Sequence, residues 1–235
     1  MANIQTDITA LRSMLDRTPS THNIMLVGNH GIGKSEFLTG YFQEKGLKVV
    51  ALFLGQMADP GDLIGLPHLD ENTGRTDFMP PYLFPTDGKP IVLFLDELNR
   101  APLNALNYLM SCLDGTREMR NDYVSPVQMV KVHPECTFVA TANIGAEFVG
   151  TSDLDPALSS RFFRLQMEYP SVSDEADVLV RRHGIRLSDA MNIAKVARDI
   201  RDAHAKGELS TAVTVRQTLM AAKLVSCGYS ALEAL

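Results

Sequence analysis

Short apolar runs and helical patterns alternate along the first two thirds of the chain. Residues 24–27, 49–54, 91–95, 137–141 and 162–167 each read as a strand. The spacing of Phe37, Leu38, Tyr41 and Phe42 predicts a helix over 34–45 that stops at Gly46, a residue suited to a left-handed cap. A second helix starts near Pro102, repeats Leu103, Leu106, Met110 and Leu113, and stops at Gly115. Strands alternating with helices predict an α/β fold in which five parallel strands are covered by helices on both faces.

The pattern changes after Tyr169-Pro170. From Asp174 onward it is helical throughout, with Ala190, Ile193, Ala194, Ala197 and Ile200 on one stripe and Arg198, Arg201 and Lys206 off it. Two domains are therefore expected, an α/β domain over 1–170 and a small all-helical one over 171–235. The closing residues YSALEAL end inside a helical pattern, so the second domain is expected to be incomplete at its C-terminus.

Between the first strand and the first predicted helix lies the segment Gly28, Asn29, His30, Gly31, Ile32, Gly33, Lys34 and Ser35, with Glu36 following. It satisfies GxxxxGK[ST] in the strand-to-helix setting the pattern requires. Glycines let backbone N–H groups turn inward around phosphates, and the helix N-terminus adds its positive dipole end. Lys34 supplies a point charge to the β and γ phosphates, and Ser35 can ligate Mg²⁺. His30 takes a variable position of the loop and is expected to face solvent.

Residues 91–95 are continuously apolar, as befits a central strand buried on both faces, yet they end in Asp96-Glu97. Two acids at the carboxyl end of such a strand suit a metal-phosphate site, where Asp96 holds Mg²⁺ through water and Glu97 polarises the attacking water. The bland alternative is a favourable acidic start to the next helix. The run 137–142 ends in Asn143, whose amide can orient the water from the side opposite Glu97.

Composition narrows the partners. The chain of 235 residues is 45% hydrophobic and 21% charged, the balance of an ordinary globular protein, and its longest apolar runs fall far short of the roughly 20 residues a membrane span needs. The N-terminal MANIQTDITALRSML carries Asp7 and has no apolar h-region, so no secretory leader and a cytoplasmic setting are expected. A net charge of −6 disfavours a nucleic-acid coat. Cys112, Cys136 and Cys227 are too widely spaced for a zinc site, and all three are expected to be buried as small apolar residues.

Taken in order, GNHGIGKS, IVLFLDE, TFVATAN and DPALSSRFFR resemble the AAA+ P-loop ATPases across most of residues 20–170. The MoxR branch, with its rubisco-, nitric-oxide-reductase- and gas-vesicle-associated members, is the most similar. Asp59-Pro60-Gly61-Asp62-Leu63-Ile64-Gly65, Phe78-Met79-Pro80-Pro81-Tyr82-Leu83 and Leu154-Asp155-Pro156-Ala157-Leu158 carry that finer likeness. The resemblance implies a five-stranded nucleotide-binding domain followed by a helical lid, ATP and Mg²⁺ as cofactors, and a hexameric ring of identical subunits. Arg161 then matches an arginine finger that reaches a neighbouring subunit's nucleotide, with Arg164 as a second candidate. Arg216 matches the sensor arginine of the lid, although TAVTVRQ departs from the Gly-Ala-Ser-rich form common in the branch. The alternating stretch 127–132, after a polar turn at Arg120-Asn121-Asp122, resembles an inserted hairpin that would face the ring pore together with the insert around Asp70 to Arg75.

The function so implied is an ATP-driven remodeller or chaperone of a protein partner, one carrying a von Willebrand A domain. The alternatives are a nucleotide-gated assembly switch with slow turnover and a nucleic-acid motor, which the acidic balance disfavours. A small-molecule kinase shares the phosphate loop but does not require the paired acids and a trans arginine.

Overall fold

The computed structural model describes residues 4–6, 8–56, 66–71, 74–79, 87–101, 103–121, 128–143 and 154–234. Strand β1 (Ile4–Thr6) leads into helix α1 (Ile8–Arg17), strand β2 (Ile24–Gly28) and helix α2 (Lys34–Glu44). Strand β3 (Lys48–Phe53) precedes a hairpin of β4 (Leu66–Asp70) and β5 (Arg75–Met79), and strand β6 (Ile91–Asp96) follows it. Next come helix α3 (Leu103–Leu113) and a second hairpin, β7 (Glu118–Asn121) with β8 (Gln128–Lys131). Strand β9 (Thr137–Asn143), the single turn α4 (Pro156–Ser159) and strand β10 (Phe163–Met167) complete the α/β part.

The main sheet is parallel throughout, in the order β1-β10-β2-β9-β6-β3. Numbered among themselves, the five expected strands run 2-3-4-1-5. The sixth, β1, is an edge strand of three residues, too short to leave a periodic signal, and pairs with β10 from Ile4 opposite Leu165.

Side-chain alternation divides each central strand between two cores. Met25, Val27, Leu93, Leu95, Phe138 and Ala140 face α3, which covers them with Leu106, Leu109 and Leu113. Leu26, Val92, Phe94 and Val139 face the other way, against Leu11 and Leu15 of α1 and Leu38, Tyr41 and Phe42 of α2. Each fully buried Leu or Ile of these layers contributes about 1.5–3 kcal/mol. Helix α2 ends as its sequence suggests, with Gly46 at φ 73° and its N–H donating to the Gln43 carbonyl.

The remaining described residues form α5 (Val172–His183), α6 (Leu187–Ala205), α7 (Val215–Ser226) and the short α8 (Ala231–Ala234). Their core is rich in small residues, with Ala176, Ala190, Ala194 and Ala222 around Leu179 and Ile193, which lets the helices approach closely. Ser171 caps α5 by accepting from the Asp174 N–H, and Gly184 closes it at φ 65°. At α7, Thr214 and Gln217 form a reciprocal capping box, which fixes where that helix begins.

Several expectations are corrected. Arg201 does not lie off the apolar stripe of α6 but is buried, at 6% exposure, against a carboxylate. Arg120 and Asn121 are not turn residues but strand residues opposite Met129 and Gln128, while Asp122 lies outside the described residues. Of the cysteines only Cys136 is fully buried; Cys112 is half-buried and Cys227 exposed. The segments 59–65 and 80–83 that carry part of the finer resemblance lie outside the described residues. Among the described residues no helix is long and apolar enough to cross a membrane.

Candidate nucleotide-binding site

Strands β2, β6 and β9 end side by side, and their carboxyl ends bring the expected polar residues together. The loop leaves β2 at Gly28, where a Cβ would stand 2.5 Å from the Met167 carbonyl oxygen. Gly31 (φ 71°) and Gly33 (φ 94°) take left-handed conformations that an L side chain resists, and Gly33 delivers the chain directly into α2. Asn29 is exposed and Ile32 is packed in the core beneath the loop.

Lys34 sits at the centre. Its ammonium donates to the carbonyls of Gly28 (2.9 Å) and Asn29 (2.7 Å) and to Asn143 Oδ1 (2.8 Å). Burial brings its pKa down to about 8, opposed by the nearby carboxylates of Asp96 and Glu97. Asn143 Nδ2 in turn donates to Glu97 Oε1 at 3.2 Å, so one amide joins the lysine to the second acid.

Asp96 Oδ1 accepts from Ser35 Oγ at 2.8 Å and from Thr141 Oγ1 at 2.5 Å. Thr141 Oγ1 also accepts from the Glu97 N–H at 3.0 Å, which helps hold Glu97 at φ 54°, ψ 51°. A left-handed glutamate costs on the order of 1–3 kcal/mol, and such strain concentrates at functional sites. The bland alternative of a regular helix start fails here, because Leu98–Arg100 is only a 3₁₀ turn. Asn99 is buried, donating to the Asn143 carbonyl at 2.9 Å and accepting from its N–H at 3.3 Å. Arg100 pairs with Glu97 Oε2 at 3.3 Å.

The helical region closes the other side. Thr214 packs against Gly31, where an added Cβ would lie 3.0 Å from the threonine Cβ, and the Arg216 N–H donates to the Gly31 carbonyl at 3.3 Å. The Arg216 guanidinium meets His30 Nε2 at 3.3 Å. His30 is therefore half-buried against an arginine and not turned to solvent; burial first, and the arginine's charge second, lower its pKa. Glu36 pairs with Arg182 of α5 across the mouth of the cleft.

The resulting cleft has a volume of about 790 Å³. Its polar lining includes Lys34, Ser35, Asp96, Glu97, Asn143 and Arg216, and its apolar lining includes Ile8, Met167, Pro170, Val178, Val215 and Leu219. That size and mixed lining fit a nucleotide, with phosphates at the loop and a base among the apolar side chains. Ser35 Oγ and the Asp96 carboxylate are hard oxygen donors of the kind Mg²⁺ takes, with water and phosphate completing its shell. Arg161 and Arg164 are not among the residues lining this cleft. They flank the amino end of β10, where Arg161 pairs with Asp114 and Arg164 Nη1 donates to Ser159 Oγ at 3.3 Å.

Thr141, Asn99 and the apolar lining of the cleft were not foreseen from sequence. Thr141 lies two residues before Asn143 on the same strand, so period-two alternation could have placed both at the strand end on one face. The apolar lining comes from four separate parts of the chain, α1, the end of β10, α5 and α7, which no local pattern joins.

A parallel sheet in this order, a glycine-rich phosphate loop between β2 and α2, and paired acids at the end of β6, one strand beyond β9, define a P-loop nucleotide-binding protein of the AAA class. The chain belongs to the AAA+ ATPases, in the dynein-related, MoxR-like branch: the family profile described as "AAA domain (dynein-related subfamily)" matches residues 23–162. A Thauera aromatica protein named "Putative chaperone BssE" is 32% identical over 99% of this chain and 80% of its own length. Protein CbbQ of Hydrogenophilus thermoluteolus is 26% identical over 90% of this chain and 77% of its own. Among solved structures, NtrX from Brucella abortus in complex with ADP matches with a TM-score of 0.57 at 16% identity, covering 93% of this chain and 48% of that one, a likeness of fold alone.

Proposed function

We propose that this chain binds Mg-ATP, hydrolyses it between subunits of a homo-oligomeric, hexameric ring, and uses the cycle to remodel a protein partner. The observation that carries the reading is the hydrogen-bonded chain Ser35–Asp96–Thr141–Glu97–Asn143–Lys34, which gathers a cation ligand, a water-activating carboxylate and a phosphate-binding ammonium at the carboxyl ends of β6 and β9 and the start of α2. Ser35 and Asp96 would hold Mg²⁺, and the ion, when bound, neutralises charge on the β and γ phosphates. Lys34 binds the phosphates, Glu97 accepts a proton from the attacking water, and Asn143 orients that water. Arg216, anchored at the loop, reads the γ-phosphate from the side of the helical region, which serves as the lid domain from 171 onward. Arg161 acts in a neighbouring subunit, with Arg164 as the second candidate.

The chaperone role rests on the resemblance to BssE and on the MoxR-like branch. A partner with a von Willebrand A domain and a cytoplasmic setting accompany it. A second reading, a nucleotide-gated switch with slow turnover, is favoured by the pairing of Glu97 with Arg100, which restrains the carboxylate. Partner-stimulated hydrolysis supports the remodeller, whereas turnover indifferent to every partner supports the switch.

The decisive experiment compares the wild-type chain with Glu97→Gln. The amide keeps the shape while losing the proton acceptor, so Mg-ATP should bind with near-native affinity while phosphate release falls by about 10²-fold or more. A variant turning over within about threefold of wild type removes Glu97 from that role.

A further inference from the structure

One buried charged cluster lies outside the groups assigned to the chemistry. Glu175 on α5, Arg201 on α6 and Thr218 on α7 are 1%, 6% and 1% exposed, so a full ion pair is enclosed where the three helices meet. Arg201 Nη1 and Nη2 donate to the two Glu175 oxygens at 2.6 and 2.9 Å, and Thr218 Oγ1 donates to Glu175 Oε1 at 2.7 Å. The same guanidinium donates through Nε to the Val213 carbonyl at 2.7 Å and stacks on Tyr169, 4.1 Å from the ring centre.

These contacts reach two strategic places. Tyr169 follows β10 and lies at the junction between sheet and helices. Val213 immediately precedes Thr214, Val215 and Arg216, the segment that packs on Gly31 and presents Arg216 to the loop. Stability alone does not account for the cluster, since a buried ion pair is commonly no more stable than apolar residues of the same volume. What a planar fork supplies, and an apolar replacement does not, is direction: it fixes one carboxylate, one carbonyl and one ring at the same time.

We infer that Arg201, clamped by Glu175, is a positioning residue for the nucleotide site, acting through the 213–216 segment to hold Arg216 over the phosphate loop. It touches no substrate itself. The inference rests on the reading of the cleft as a Mg-ATP site.

The test pairs an apolar exchange of the whole cluster with a non-additivity measurement. The double variant Glu175→Leu/Arg201→Met keeps volume and leaves no unpaired charge, so its melting temperature should stay within a few degrees of wild type. Its kcat for ATP should fall at least about tenfold with a much smaller change in KM, and the loss should match that of Arg216→Ala. Adding Arg216→Ala to the double variant should cost no further activity, because both changes remove one contribution. A folded double variant with wild-type kcat, or losses that multiply independently with Arg216→Ala, overturns the inference.

If the double variant does not fold, Arg201→Lys carries the same test. It keeps the charge but loses the fork and the bond to Val213, and should lower kcat at least about fivefold, again without further loss on adding Arg216→Ala. A change under twofold, or additive losses, overturns the inference by this route. A wild-type chain that binds no Mg-ATP removes the nucleotide reading and this inference with it. A wild-type chain that turns ATP over while these variants do so equally well removes the inference alone.

Discussion

Lys34 and Asn143 are joined across the sheet, the ammonium of one donating to the amide oxygen of the other at 2.8 Å. Because the nitrogen of that amide donates to Glu97, Asn143 separates the lysine from the carboxylate by one hydrogen-bonding group and holds both in register. Its own backbone is pinned by Asn99, and its side chain by these two partners, so it enters the reaction already oriented.

Replacing Asn143 with Ala should therefore affect turnover more than binding. Lys34 keeps its two carbonyl acceptors and stays in the phosphate site, whereas Glu97 loses the donor that directs it. We expect kcat to fall about 10²-fold, the usual scale for removing one preorganised polar group, with nucleotide affinity changing by less than about tenfold. Steady-state phosphate release and equilibrium titration with a fluorescent nucleotide measure the two quantities separately.

Gly28→Ala tests the loop by steric exclusion. The added methyl would meet a backbone oxygen at 2.5 Å and the end of Ile32 at 2.9 Å, and the Met167 carbonyl cannot retreat without disturbing β10 beside β2. Overpacking of this kind costs about 1–3 kcal/mol and should lower both the melting temperature and nucleotide affinity. Gly40→Ala is the control, because beyond its chain neighbours and the backbone of its own helix no atom lies within 4 Å of a Cβ there, and the residue sits inside helix α2, where alanine is preferred.

How far the sequence could be read follows from how local each signal is. The strands, the phosphate loop and the acids at the end of β6 declare themselves within windows of six to eight residues, because burial on both faces demands a continuous apolar run. Arg201 does not. Its helical position, four residues after Ala197 and seven after Ala194, lies on the apolar stripe of α6, but a charged side chain there reads as polar. Only Glu175 and Tyr169, arriving from elsewhere in the chain, supply the carboxylate and the ring that let it be buried. His30 fails for the same reason: its neighbour Arg216 is 186 residues away. Three-residue β1 is set by pairing with β10, a partner no local window contains.

The cysteines give a prediction that needs no nucleotide. Cys227 is exposed at the end of α7 and should react readily with a maleimide at pH 7 to 8. Burial raises the Cys112 thiol to about 11 and raises Cys136 as well, so neither presents much thiolate in that range. Mass spectrometry of the native chain should find one label at Cys227, and three labels only after denaturation. Labelling of Cys112 at a rate comparable to Cys227 in the folded chain contradicts the packing described around α3.

Arg161 tests the ring. Its Nε and Nη2 pair with the Asp114 carboxylate at 2.7 and 3.1 Å, and Nη1 donates to the Ala157 carbonyl at 2.6 Å, so the guanidinium is held at the amino end of β10. The phosphate loop lies at the opposite, carboxyl end of the adjacent strand β2, which leaves this arginine remote from its own cleft. In the proposed ring it meets a neighbour's γ-phosphate, where a planar and permanently charged group stabilises developing charge. Hydrolysis should then rise more than linearly with protein concentration until assembly is complete. Arg161→Ala should bind ATP normally yet lose on the order of 10³-fold or more in rate, the scale of arginine fingers. Lys34→Ala should lose nucleotide binding, because the loop without its ammonium cannot offset the phosphate charge. Mixing the two inactive variants creates interfaces that pair an intact phosphate loop from the arginine variant with an intact Arg161 from the lysine variant. Such interfaces are complete, and partial activity should return. If mixed assembly is demonstrated by an independent measurement and no activity returns, Arg161 does not act in trans, and the inter-subunit mechanism proposed for this chain is wrong.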